Sequence, residues 1–155
     1  MKSRSKVCFI CSSGGHFEQI KQLKNIKDKY DSFYVLTKTK STKCVKDKRY
    51  LVTFLGRKNV FSYVLNIFIW FVEELYIYIK ERPDVIITTG AADAVPMCLI
   101  AKLFKKKVIF IETFARRNEP SKTGKFLYKY ADLFVVQWEE LLKFYPKAVY
   151  GGWIY

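Results

Sequence analysis

Apolar residues along this chain fall into short unbroken runs separated by stretches in which they recur at helical spacing. KVCFICSS (6–13), SFYVLTK (32–38), YLVTFL (50–55), DVIITTG (84–90), KVIFIET (107–113) and DLFVVQ (132–137) are runs of the first kind, and each reads as a buried strand. FEQIKQLKNI (17–26), AVPMCLIAKLF (94–104), SKTGKFLYKYA (121–131) and WEELLKFY (138–145) read as helices, and the basic stretch TKTKSTKCVKDKR (37–49) as a solvated loop or a short turn of helix. Continuously apolar strands alternating with helices predict a parallel sheet covered on both sides. The expected fold class is α/β, a doubly wound Rossmann-like parallel sheet with helices on both faces, in a single domain over residues 1–155.

The segment VFSYVLNIFIWFVEELYIYIK (60–80) is longer than the rest. Residues 60–79 would make a helix of about 30 Å, the thickness of a bilayer core. Ser62, Asn66, Glu73 and Lys80 are spaced 4, 7 and 7 apart, so on a helical wheel they fall within about 40° of one another and make one narrow polar stripe. Spanning would place Glu73 and Glu74 in the membrane or its interface, at a cost on the order of several kcal/mol. The segment is therefore expected to be a surface helix with a thin wet edge. Its wide remaining face leaves Trp70, Phe71, Tyr76 and Tyr78 either for a membrane or partner contact or for burial in the domain.

Charge sharpens the picture. Twenty-eight Lys and Arg against fourteen Asp and Glu give a net +14, which points to an anionic partner: nucleic acid, an anionic membrane surface or a phosphorylated small molecule. The basic start MKSRSK is followed by an apolar run that SSGGH interrupts, unlike a signal peptide, so the four cysteines (Cys8, Cys11, Cys44 and Cys98) are expected as reduced thiols. Cys8 and Cys11 form a C-x-x-C inside the first strand, without the second ligand pair a zinc site needs, and no metal or cofactor is expected.

Three loops follow predicted strands: SSGGH (12–16), TGAAD (89–93) and ETFARRN (112–118). In an open parallel sheet such loops share one edge and form the crevice where ligands bind. Gly14, Gly15 and Gly90 would let backbone approach a phosphate closely, although SSGGH lacks the full G-x-G-x-x-G and also suits a tight turn. His16, the only histidine, with Arg116 and Arg117, would add donors or positive charge to that crevice. One histidine without a nucleophile elbow offers no Ser-His-Asp arrangement. KFLYKY interleaves basic and aromatic residues as RNA-binding surfaces do, but no recognition-module signature accompanies it.

SSGGH, TGAADAVP and the stretch ETFARRNEPSKTGKFLYKYADLFVVQWEELLKFYPKAVYGG together resemble the bacterial polysaccharide-biosynthesis proteins of the PssD/CpsF type. Those are similar to the membrane-anchoring subunit of the eukaryotic two-part enzyme that adds the second N-acetylglucosamine to a dolichyl diphosphate sugar. The resemblance implies a split GT-B glycosyltransferase, of which this chain would be the acceptor-side N-terminal half, its length sufficing for one such domain. It places Ser13, Gly14, Gly15 and His16 on a glycine-rich loop near the meeting point of diphosphate and sugar. Thr89, Gly90 and Pro96 fall on a second cleft loop, and Glu112 and Arg116 on a third. His16 is the candidate catalytic base, and the partner subunit is an equal candidate to supply one. The resemblance implies three partners: a catalytic, nucleotide-sugar-binding subunit, a polyprenyl-diphosphate-linked saccharide, and the anionic inner face of the plasma membrane, with no nucleic acid.

The expected location is cytoplasmic and peripheral, in capsular or exopolysaccharide biosynthesis. The eukaryotic subunit has an N-terminal membrane-spanning helix with no counterpart here, which places the membrane contact on the basic surface and on helix 60–79, through Trp70 and Phe71. The terminal aromatics Trp138, Tyr145, Tyr150, Trp153 and Tyr155 are expected either to dock the second subunit or to pack on the domain itself. Two other readings stand beside the accessory subunit: a self-sufficient homodimeric glycosyltransferase, and a basic RNA- or anionic-lipid-binding module without chemistry.

Overall fold

The computed structural model describes residues 5–54 and 60–154. Seven parallel strands form one sheet in the order β3-β2-β1-β4-β5-β6-β7. They are β1 (Lys6–Cys11), β2 (Asp31–Thr37), β3 (Arg49–Val52), β4 (Val85–Thr88), β5 (Lys107–Ile111), β6 (Leu133–Val136) and β7 (Val149–Tyr150). The α/β expectation holds, and six of the seven strands lie within a residue or three of the runs that predicted them. β7 is the addition: two exposed residues at the sheet edge carry too little pattern to announce themselves.

The helices are α1 (Gly15–Lys21), α2 (Lys24–Lys29), α3 (Lys40–Lys43), α4 (Val60–Glu81), α5 (Val95–Leu103) and α6 (Lys122–Leu127). The helix expected over 17–26 is two, because the amides of Gln22 and Leu23 bond three residues back, to Gln19 and Ile20, and tighten the chain into a turn. The helix expected over 138–145 is a single 3-10 turn, Glu139–Leu141.

Side chains alternate across the sheet. Cys8, Ile10, Phe33, Val35, Val108 and Phe110 face α4, α5 and α6, while Val7, Phe9, Cys11, Tyr34 and Leu36 face α1. The C-x-x-C thiols thus lie on opposite faces of β1, and burial pushes both well above the usual thiol range. They are packing residues.

α4 turns a mixed polar and apolar face inward and most of its broad apolar face outward. Asn66, Trp70, Glu74, Ile77 and Glu81 recur on its inward side and are at most 6% exposed. Its outer face carries Phe61, Val64, Phe68, Phe71, Val72, Tyr76 and Ile79, all exposed. Of the expected polar stripe, Asn66 is buried, Ser62 and Glu73 are half-buried and Lys80 stays exposed, and the acidic groups that turn toward the domain find partners there. Glu73 accepts from the Thr53 amide at 2.8 Å and the Thr53 hydroxyl at 2.6 Å. Glu81 accepts from Lys6 at 3.1 Å, Lys48 at 2.8 Å and Tyr50 at 2.5 Å. Burial would raise the Glu81 carboxyl, but these bonds outweigh it and hold it at about 2.

Trp70 is therefore no membrane contact: it is 1% exposed and donates to the Thr53 carbonyl at 2.6 Å. Tyr78 is likewise in the core, leaving Phe71 and Tyr76 outside. Phe61–Glu81 is long and apolar enough to cross a membrane, yet its inward face is one wall of the domain core.

Candidate functional site

β1 and β4 are neighbours in the sheet, but the chain leaves β1 toward the α1 face and leaves β4 toward the α5 face. Their carboxyl ends therefore part and open a crevice at the switch point. His16 enters it from the first turn of α1. Its Nδ1 lies 2.9 Å from the carbonyl oxygen of Thr89, the residue after β4, and Thr89 Oγ1 donates back to the His16 carbonyl at 3.1 Å. A carbonyl only accepts, so Nδ1 carries the hydrogen, and in the neutral ring Nε2 keeps its lone pair.

The His16 ring lines a cleft of about 490 Å³, whose wall includes Ser12, Ala91, Thr113, Arg116, Ser121 and Lys122. Gly90 follows Thr89 with φ +106°, a left-handed backbone that favours glycine, and a Cβ there would meet His16 Cε1 at 3.5 Å and Phe110 Cζ at 3.4 Å, in ordinary van der Waals contact. Ala91 follows with φ +73° and ψ 156°, a conformation that costs an L residue on the order of 1–3 kcal/mol. The strained residue sits on the cleft wall.

The residues nominated from sequence separate here. His16 and Arg116 line the cleft, Arg116 paired with Glu119. Ser13 is half-buried, and Gly14 and Gly15 lie exposed on the rim, Gly14 with φ +84° and turned to a neighbouring hollow beside Phe17 and Tyr34. Thr89 and Glu112 are fully buried, which corrects their assignment to ligand contact. Thr89 works through His16. Glu112 accepts from the amide of Thr113 at 3.0 Å and, on its other oxygen, from the Ser121 amide at 3.2 Å, the Ser121 hydroxyl at 3.1 Å and Tyr145 at 2.9 Å. It fastens both ends of the loop that carries Arg116. Arg117 faces away, stacked over Trp138 at 4.9 Å and paired with Glu140 at 2.9 Å.

Three cleft features escape the sequence reading. Gln19 is buried and donates to Thr113 Oγ1 at 3.1 Å, while its oxygen accepts from the Phe114 amide at 3.1 Å and from Gln137 at 2.8 Å. Tyr63 brings α4 into the cleft, and Lys122 and Thr123 bring α6. Gly124 was the available signal. A Cβ there would stand 2.2 Å from Glu112 Oε2 and 2.6 Å from the Tyr145 hydroxyl, so a glycine inside a helix marks close approach to a buried carboxylate.

The terminal aromatics divide as well. Tyr145 is core, 2% exposed. Trp138 donates from Nε1 to the Phe114 carbonyl at 2.7 Å, and its ring meets Trp153 at 5.5 Å. Trp153 and Tyr150 are 62% and 50% exposed and, with Arg117 and Glu140, border a shallow surface hollow. Tyr155 lies outside the described residues.

A family model described as "Oligosaccharide biosynthesis protein Alg14 like" matches residues 7–154, nearly the whole chain and every loop of the cleft. The chain belongs to this Alg14-like family. Its curated relatives include the UDP-N-acetylglucosamine transferase subunit ALG14 of Homo sapiens, 35% identical over 79 residues, covering 47% of this chain and 37% of that protein. The same-named subunit of Debaryomyces hansenii is 27% identical over 177 residues, covering 96% of this chain and 75% of that protein. Against most of the relatives it matches, the chain spans well under half their length. Among solved structures, Acinetobacter baumannii MurG superposes with a TM-score of 0.73 at 17% identity, over 88% of this chain and 42% of that one. A UDP-N-acetylglucosamine 2-epimerase from Rickettsia bellii shares the fold equally, with a TM-score of 0.73. The family's fold is thus half of a GT-B architecture, a frame common to transferases and epimerases.

Proposed function

We propose that this chain is the acceptor-binding, membrane-associating subunit of a two-component glycosyltransferase. The enzyme adds a sugar from a nucleotide diphosphate sugar to a polyprenyl-diphosphate-linked saccharide at the cytoplasmic face of the plasma membrane. The observation that carries the reading is His16. Its tautomer is held by the Thr89 carbonyl, and the residue lines the switch-point cleft of a half-sized fold.

In this reading an acceptor hydroxyl gives its proton to Nε2 as its oxygen bonds to the donor sugar's anomeric carbon. The bond from that carbon to the nucleotide diphosphate breaks, and the diphosphate leaves with the electron pair. Arg116 and Lys122 offset negative charge on the cleft side. The donor pocket belongs to the second subunit, which docks on the surface of Trp138, Tyr150 and Trp153. The exposed apolar face of α4 and the exposed lysines of 38–48 hold the protein on anionic lipid, at about 1 kcal/mol per basic residue near the surface. The wider setting is capsular or exopolysaccharide synthesis. Because the relatives are named as subunits of UDP-N-acetylglucosamine transferases, UDP-N-acetylglucosamine is the first donor to try.

The test is transfer of labelled sugar to a polyprenyl diphosphate saccharide by this chain alone and with its candidate second subunit. Transfer only by the mixture is the expected result. Full transfer by this chain alone would overturn the split-enzyme reading, and Trp153→Ala should release the partner in co-purification if the docking surface is as assigned.

A further inference from the structure

The cleft continues past His16 and Arg116. Along one side its wall is formed by Tyr63, Ala92, Lys122 and Thr123, and the same four residues form the near end of a second hollow of about 410 Å³. The second hollow changes character with distance from the cleft. Beyond Lys122 and Thr123 it is bounded by Ile67 of α4, Val95 and Leu99 of α5 and Phe126 of α6, all apolar. Ile67 and Phe126 are 38% and 43% exposed, so the groove is open along its length. Ile67 is followed by Phe68 and Tyr63 by Val64, both on the outer apolar face of α4, so the groove runs from the polar cleft out to that face.

Lys122 stands at the junction. It is exposed, and no carboxylate pairs with it among the described residues. A cation at the boundary between a polar cleft and an apolar groove suits an amphiphile in which a strong anion joins a polar head to a long apolar chain. We infer that the α4–α5–α6 groove holds the first prenyl units of an isoprenoid diphosphate, with the diphosphate at Lys122 and the head group in the cleft beside His16. This rests on the acceptor reading above and adds to it where the chain lies. The remaining chain leaves across Ile67 toward Phe68 and stays in contact with the bilayer on which α4 rests, so the acceptor need not be withdrawn from lipid to react.

The experiment is calorimetric binding to the full chain of two probes: geranylgeranyl diphosphate, below its micellar concentration, and inorganic pyrophosphate. The expected result is that the prenyl compound binds at least tenfold more tightly. Ile67→Asp should remove that advantage while leaving pyrophosphate affinity within about twofold, and Lys122→Ala should weaken both. Both Ile67 and Phe126 are partly exposed, so Phe126→Ser is a second variant should Ile67→Asp fold poorly. Equal binding of the two probes, with both weakened by Lys122→Ala, would overturn the groove and spare the acceptor reading. Binding of neither probe would overturn both. If Ile67→Asp releases the protein from anionic phospholipid vesicles yet keeps the prenyl advantage, the groove belongs to the bilayer contact and the inference falls.

Discussion

His16 and Thr89, 73 residues apart in sequence, hold each other by two reciprocal bonds: imidazole Nδ1 to the Thr89 carbonyl at 2.9 Å and Thr89 Oγ1 to the His16 carbonyl at 3.1 Å. One bond sets the tautomer and the other anchors the backbone beneath it, so the imidazole is fixed from both sides of the switch point. With the second subunit present, His16→Ala should lower kcat by about 100- to 10,000-fold. Added imidazole should restore part of it. Thr89→Val, which removes only the anchoring hydroxyl, should cost about tenfold. An unchanged kcat in His16→Ala would reduce the pair to a fastener between two loops.

Ala91 stands one residue further along the same loop with φ +73°. Glycine adopts that conformation freely but loses more unfolded-state entropy on ordering, about 0.5–1 kcal/mol. Relief of strain is the larger quantity, so Ala91→Gly should stabilise the domain by about 1 kcal/mol, read as a higher urea midpoint at constant m value. A lower midpoint would mean that the surroundings already accommodate the alanine.

Glu112 is held by donors from both ends of the Arg116 loop and by Tyr145. Tyr145→Phe removes one donor from a fully buried carboxylate and should cost about 1–3 kcal/mol. Gly124→Ala drives a methyl group into Glu112 Oε2 and should be worse, preventing stable folding or displacing the 112–121 loop. Denaturant unfolding of the two variants, with Ser121→Ala as a milder third, orders the effects.

Glu74 is fully buried on the inward side of α4, with neither carboxyl oxygen hydrogen-bonded among the described residues. Burial first, and the nearby Asp93 second, push its carboxyl well above the usual range. Because the folded-state value is raised, this group's contribution to stability is fully present below the unfolded-state value, near 4.5, and is lost as pH rises toward the folded-state one. Over that window each pH unit costs up to about 1.4 kcal/mol. Glu74→Gln, neutral at every pH, should therefore melt higher than the parent at pH 8 and match it near pH 4.5. A variant whose melting temperature falls at pH 8 would contradict the buried neutral carboxyl.

Phe61 and Phe68 project from the outer face of α4 with 77% and 64% of their surface exposed. Replacing both with Asp removes apolar surface that is mostly exposed, so folding stability should change by no more than about 0.5 kcal/mol per site. Flotation with vesicles of anionic phospholipid should fall more than tenfold, since burying each ring is worth about 1.5–3 kcal/mol. Unchanged flotation would assign the face to a protein partner.

The run of apolar strands and the three loops that follow β1, β4 and β5 were legible in the order of residues alone, because strand and turn preferences are local and a parallel sheet puts those loops on one edge. On that basis His16 and Arg116 could be nominated for one cleft, and the structure brings them there. Glu112 and Thr89 could be nominated but not oriented, since their partners Ser121, Tyr145 and His16 come from distant parts of the chain. Gln19 gave no sign at all, its donors and acceptor lying on β5 and β6 loops about a hundred residues away.

α4 shows the limit most plainly. Periodicity separated its polar stripe from its apolar face, and by the usual rule the stripe belongs in water. Tertiary structure split the stripe, burying Asn66, half-burying Ser62 and Glu73 and leaving Lys80 exposed, and turned the broad apolar face outward. Thr53, Lys6, Lys48 and Tyr50 are positioned to bond Glu73 and Glu81, and Trp70 fills the core between them, so these two carboxylates are satisfied against the domain, while Glu74 beside them is buried without a bond among the described residues. The sequence by itself determined that this helix has two unlike faces; only the packing of the sheet decided which one the domain keeps, because a carboxylate's preference for water yields to bonds from groups that local pattern does not register.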